Sequence, residues 1–177
     1  LIPVFSFDKM VKAIGKKDYE GDYEGIPVLK YNSVLHGEVQ KPGLGPLHTE
    51  FDGKGNAYTT FFVSSEVVKW DIKTLKVLDR VPTYYSVGHL MIPGGDSKKP
   101  FGKYLVAYNK ITKDRYLPTG PELTQSAQLY DISGDKMKLL LDFPTIGEPH
   151  YAQAAPADLI RNNGQLKIYD IKKNNHP

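Results

Sequence analysis

The chain has 177 residues, 40% hydrophobic and 24% charged, and its 23 basic and 20 acidic side chains leave a formal charge of +3. That balance suits one folded domain with a real core rather than a disordered chain. No apolar run reaches membrane-span length, no basic stripe marks a nucleic-acid partner, and the absence of cysteine excludes disulfides, thiolate catalysis and cysteine-ligated metals.

The chain opens on Leu1-Ile-Pro-Val and closes on Asn174-Asn-His-Pro177, with neither an initiator Met nor a signal peptide. Both ends read as cut, so an internal portion of a longer protein is expected. A short apolar run, Ile2 to Phe7, comes first. Ser6 is placed to cap a brief helix from about Asp8, with Met10 and Ile14 on one face and Gly15 ending it. Residues 16–25 are charged and rich in Tyr and Gly, which predicts a surface loop. Its acidic residues Glu20, Asp22 and Glu24 are read as solvated rather than as a cation site. Residues 26–31 predict a strand, confined by Pro27 to an edge or a strand start.

From there the pattern is almost entirely β. Leu47-His-Thr-Glu-Phe51 leads into Asp52-Gly-Lys-Gly55, a turn built from residues that tolerate positive φ. Runs rich in Thr, Val, Tyr and Phe predict strands at 56–63, 66–72, 76–81, 103–109, 128–132, 136–143 and 165–171. The two long gaps, 94–100 and 112–124, carry Pro, Gly and charge and predict surface loops.

A repeat runs through this series: Trp70-Asp-Ile72, Tyr130-Asp-Ile132 and Tyr169-Asp-Ile171. The first two are each followed by a polar turn and another apolar strand. Units of this size, strand-turn-strand, suit the blades of a β-propeller. In a β-sandwich the same tripeptide would recur only by chance. The fold class expected is therefore all-β, a partial propeller with a short N-terminal helix, the whole of residues 1–177 forming one incomplete domain.

Five histidines are present. Three share a setting beside Gly or Pro at the mouth of a strand: Gly45-Pro-Leu-His48, Val87-Gly-His89 and Glu148-Pro-His150. Equivalent positions in successive blades converge on the central channel, so His48, His89 and His150 are candidates for one metal centre. Imidazoles without thiolates suit copper or zinc. His36 and His176 lack the setting and are read as surface residues. No phosphate loop, nucleophile elbow, H-E-x-x-H or EF-hand pattern is present.

These histidine segments carry a resemblance. The stretch Gly43-Leu-Gly-Pro-Leu-His-Thr-Glu-Phe-Asp-Gly-Lys-Gly-Asn-Ala-Tyr-Thr-Thr60, with Val67-Val-Lys-Trp70 after it, resembles a signature of the nitrous-oxide reductases. Gly88-His-Leu90, Lys110-Ile-Thr-Lys-Asp-Arg-Tyr-Leu-Pro118, Asp131-Ile-Ser-Gly-Asp-Lys-Met-Lys138 and Glu148-Pro-His150 follow in that family's order. The segments Pro3-Val-Phe-Ser-Phe-Asp8 and Gly25-Ile-Pro-Val-Leu-Lys30 look like its Sec-exported subgroup. The resemblance implies reduction of N2O to N2 and water in the periplasm, at a tetranuclear copper-sulfide cluster held by histidines of a seven-bladed propeller. It implies His48, His89 and His150 as cluster ligands, and Lys110 and Glu148 as a charged catalytic pair at the open edge. For the full-length family it also implies a binuclear copper centre in a cupredoxin domain, calcium, a homodimer, and an electron donor such as a cytochrome c or a cupredoxin. The paired-histidine motif and the cupredoxin cysteines are absent from this chain. Two other functions compete: a non-catalytic propeller module that binds a ligand or protein, and a mononuclear three-histidine zinc hydrolase.

Overall fold

The computed structural model describes residues 1–110 and 125–156. The strand expected at 165–171, the third aromatic-Asp-Ile element, His176, the loop 112–124 and all of the Lys110–Pro118 motif after Lys110 lie outside the described residues.

Two four-stranded antiparallel meanders form the body of the structure. The first comprises β5 (Pro46–Phe51), β6 (Asn56–Phe61), β7 (Glu66–Asp71) and β8 (Val77–Pro82). The second comprises β9 (Val87–Met91), β10 (Tyr104–Asn109), β11 (Ser126–Asp131) and β12 (Lys138–Pro144). In each, strand order in space equals order in the chain, which is the architecture of a propeller blade. The predicted turn Asp52–Gly55 joins β5 to β6, with Gly53 and Gly55 both at positive φ. The Asp52 carboxylate fixes it by accepting the N–H groups of Lys54 and Asn56.

The aromatic-Asp-Ile repeat falls at the same place in both blades, the end of the third strand. Asp71 accepts the backbone N–H groups of Lys73 and Thr74, and Asp131 accepts that of Ser133. Both therefore close the turn to the fourth strand through the aspartate's own side chain. The preceding aromatic is buried, Trp70 at 3% exposure and Tyr130 at 1%. The isoleucine then ties back to the blade, Ile72 N–H donating to Gly55 and Ile132 N–H to Lys103.

β6 and β7 are buried on both faces. One face of the first blade (Tyr58, Val67) packs on Val87, Leu90 and Leu105 of the second. Each of those three is fully buried and contributes about 1.5–3 kcal/mol of transfer free energy. The other face (Ala57, Trp70) packs on Ile2, Val4 and Val39. Polar ties complete the blade contact: Lys69 donates to the carbonyls of Gly134 and Asp135, and Asp79 accepts Lys136 and Met137 N–H.

The N-terminal part departs from expectation in three ways. Helix α1 (Phe7–Lys16) starts at its Ser6 cap but runs through Gly15 and ends at Lys17, which takes the left-handed conformation with φ 54°. Asp18, bonded by its own N–H to Ala13 and by its carboxylate to Lys30 and Ser33, anchors that end. The helix buries Ala13, whereas Ile14 is 53% exposed. Residues 16–25 are not simply a loop: β2 (Tyr19–Tyr23) and β3 (Ile26–Leu29) form a two-stranded ribbon. Exposed on both sides, that ribbon carries no apolar-polar alternation for a reader to detect. Pro27 sits in β3, whose single partner is β2, as the edge position requires. After the short helix α2 (Tyr31–Val34), an unpredicted strand β4 (Leu35–Val39) pairs with β1 (Ile2–Phe5) and carries His36 exposed on the surface.

Candidate metal centre

β5 and β9 are the first strands of adjacent blades and lie side by side. No backbone ladder joins them; side chains do so instead. His48 and Glu50 stand two residues apart on β5 and so share a face. His48 Nδ1 accepts Leu90 N–H at 3.2 Å, and Glu50 accepts Ile92 N–H two residues further along.

That arrangement places the His48 ring against the side chain of His89 on β9, with centroids 4.9 Å apart. His150 follows β12 in the segment Glu148-Pro-His-Tyr151, and its ring lies 4.6 Å from that of His89. The three predicted histidines thus form a row with His89 in the middle. Tyr151 stands edge-on to two of them, 5.7 Å from His48 and 5.6 Å from His89.

Lys110 follows β10 and is 8% exposed. Its stem lies over Gly88, where an added Cβ would stand 1.9 Å from Lys110 Cε. The bare backbone of Gly88 therefore lets the ammonium reach the row, 2.9 Å from His150 Nδ1 and 3.5 Å from the carboxylate of Glu148. All five residues singled out in the sequence lie in one region.

Burial lowers the pKa of His48. Burial likewise lowers that of His89, and the neighbouring His48, His150 and Lys110 add to the effect. Both rings are held neutral at pH 7, the protonation state in which imidazole donates a lone pair. His89 Nδ1 is buried with no hydrogen-bond partner, a ring nitrogen that the protein itself leaves unused. The Lys110 ammonium puts a positive charge on His150 where a metal cation would. These donors fit copper. Among the described residues, however, no three or more His, Cys, Asp and Glu side chains are disposed to hold a metal ion by themselves. The ring contacts run from His48 to His89 and from His89 to His150.

Sequence reasoning missed Glu50, Tyr151 and Gly88. Glu50 is 1% exposed, and burial raises its carboxyl pKa to about 7. Its signal was available, since an acid two residues after an inward-facing histidine on a strand must also face inward. Gly88 and Tyr151 carried no signal beyond adjacency to a histidine.

Among the described residues no helix is long and apolar enough to cross a membrane. The sequence matches the nitrous oxide reductase propeller repeat over residues 80–150. It is 45% identical over 147 residues to a nitrous-oxide reductase of Stutzerimonas stutzeri, a match covering 77% of this chain and 22% of the relative. It is 46% identical over 132 residues to that of Ralstonia nicotianae, covering 68% of this chain and 20% of the relative. It is 43% identical over 143 residues to that of Cupriavidus necator, covering 75% and 22%. The chain spans about a fifth of the length of these curated relatives.

Proposed function

We propose that this chain, which belongs to the nitrous-oxide reductase family, supplies later blades of a copper-cluster propeller that reduces N2O with two electrons and two protons to N2 and water. His48, His89 and His150 are proposed as three ligands of a tetranuclear copper-sulfide cluster, with Lys110 and Glu148 as the charged pair at its rim. The observation that carries the reading is the row of three imidazoles from three separate segments, ending at a buried lysine. A row suits one edge of an extended centre completed by ligands from elsewhere in the longer protein.

N2O is inert and a weak ligand, and the bound cluster would supply two electrons together. The residues of this chain do the rest. Three imidazoles hold metal without adding charge. Lys110 Nζ presents a positive charge where the oxygen of N2O gains negative charge, and Glu148 holds or passes a proton beside it. The two lie 3.5 Å apart. In the longer protein, electrons would arrive from a cytochrome c or cupredoxin through a binuclear copper centre across a homodimer, in the periplasm, with calcium as a further ion.

The test uses the full-length protein. His89→Ala should lose copper, while Lys110→Met and Glu148→Gln should load it and then lose turnover or shift its pH profile. If alanine at each of the three histidines leaves copper content unchanged, the ligand assignment is wrong. If both rim variants keep wild-type turnover at every pH, the pair is an ordinary surface ion pair worth about 0–1 kcal/mol.

A further inference from the structure

We propose that Glu50 is a positioning residue for the histidine row, its carboxylate tying the β5 segment that carries His48 to the segment that carries His89. This rests on the ligand reading above and deepens it. The argument is one of connectivity. Glu50 lies two residues after His48 on the same face of β5. Its carboxylate accepts the N–H of Ile92, three residues after His89 and in the next blade. Its side chain lines the same small pocket as Tyr151, the neighbour of His150. Tyr151 holds its ring against both His48 and His89, at 5.7 and 5.6 Å. One buried carboxylate thus bonds two ligand segments together, beside a tyrosine that touches two of the rings.

The surroundings are shaped to admit it. An added Cβ at Gly95 would stand 2.5 Å from Glu50 Oε2, so only glycine lets the loop close over the carboxylate. The Gly95 carbonyl accepts Phe51 N–H at 2.9 Å, which fixes the loop to β5. An apolar side chain of similar volume would leave the Ile92 N–H buried without an acceptor, and it could not bond β5 to the segment that follows His89.

The full-length protein with Glu50→Leu and Glu50→Gln provides the test, with His89→Ala as the reference. Readouts are thermal unfolding of the metal-free protein, copper retained against a competing chelator, and the absorption and EPR spectra of the bound copper. Glu50→Leu leaves Ile92 N–H without an acceptor and should unfold at a lower temperature, bind copper about 10–100-fold more weakly, and show an altered spectrum. Glu50→Gln keeps a carbonyl oxygen for Ile92 N–H and should hold copper less than about 10-fold more weakly than wild type. A folded Glu50→Leu with wild-type copper affinity and spectrum overturns the proposal, while loss of copper in His89→Ala leaves the ligand reading standing. Wild-type copper binding in His89→Ala sinks the ligand reading itself. If Glu50→Leu fails to fold, Glu50→Gln decides, and copper held more than about 10-fold more weakly there overturns the proposal.

Discussion

Gly88→Ala is the sharpest probe of how the fold delivers Lys110 to the histidine row. A Cβ built at Gly88 meets Lys110 Cε at 1.9 Å, Cδ at 2.5 Å and Cγ at 3.0 Å. Carbon atoms in contact prefer about 3.5–4.0 Å, so the stem must retreat by roughly 2 Å. The 2.9 Å approach to His150 and the 3.5 Å approach to Glu148 cannot survive that shift. The backbone tolerates alanine, since Gly88 is not among the positive-φ glycines. The clashing atoms also belong to a flexible side chain. Loss of a partly exposed ion pair costs about 0–1 kcal/mol, and reduced freedom of the unfolded chain returns about 0.4–1 kcal/mol. Net stability should therefore change by less than about 1 kcal/mol, a shift of a few degrees in Tm at most. Turnover should fall about 100-fold, the range for removing one electrostatic contact to a developing charge. The assay is N2O consumption with a reduced donor, after copper content has been matched. Gly88→Ala combined with Lys110→Met should be no worse than Lys110→Met alone, because both remove one interaction. Wild-type turnover in Gly88→Ala at matched copper content, or additive losses in the double variant, would refute the reasoning.

Three further outcomes are expected. The Asp79 carboxyl is desolvated, yet Lys136 and Met137 N–H hold it below its usual 3.8. Its contribution is present above pH 4 and lost as pH falls through the lowered value. Asp79→Asn should therefore cost about 1 kcal/mol at pH 7 and nothing in strong acid, and an equal cost at both pH values in denaturant titrations would contradict this. Trp70 Nε1–H donates to buried Thr59 Oγ1 at 2.9 Å, so Trp70→Phe should lose about 1–3 kcal/mol by urea unfolding, and no loss would show the bond to be idle. Expressed alone, the 177-residue chain should self-associate through β12, where Leu139, Leu140, Leu141 and Phe143 are each at least 40% exposed, and should not turn over N2O. A monomer by light scattering, or turnover after copper loading, would count against that.

Much of this was legible in the residues. The alternation of short Thr-, Val- and aromatic-rich runs with polar turns gave six of the eight blade strands, because strand and turn preferences act locally and leave local marks. The aromatic-Asp-Ile repeat marked equivalent third-strand ends for the same reason: the Asp71 and Asp131 side chains close their own turns within three residues. β9 was less visible, since Val87-Gly-His-Leu-Met91 includes a glycine at the point where Lys110 passes. The β2–β3 ribbon was hidden by its exposure, and the shared helix face of Met10 and Ile14 did not say what packs on it.

The sequence by itself determined the candidate site's membership: three histidines in matching settings, and the lysine and glutamate named by family resemblance. Only the tertiary structure decided their arrangement as a row with Lys110 at one end, and it alone brought in Glu50, Tyr151 and Gly88. The reason is physical. A strand pattern specifies which face a side chain takes, whereas the distance between two side chains depends on how blades pack across an interface. Here that interface sets β5 beside β9, with His48 and Glu50 bonded to the backbone of Leu90 and Ile92. Such pairings lie 42 residues apart in the chain, beyond the reach of any local preference.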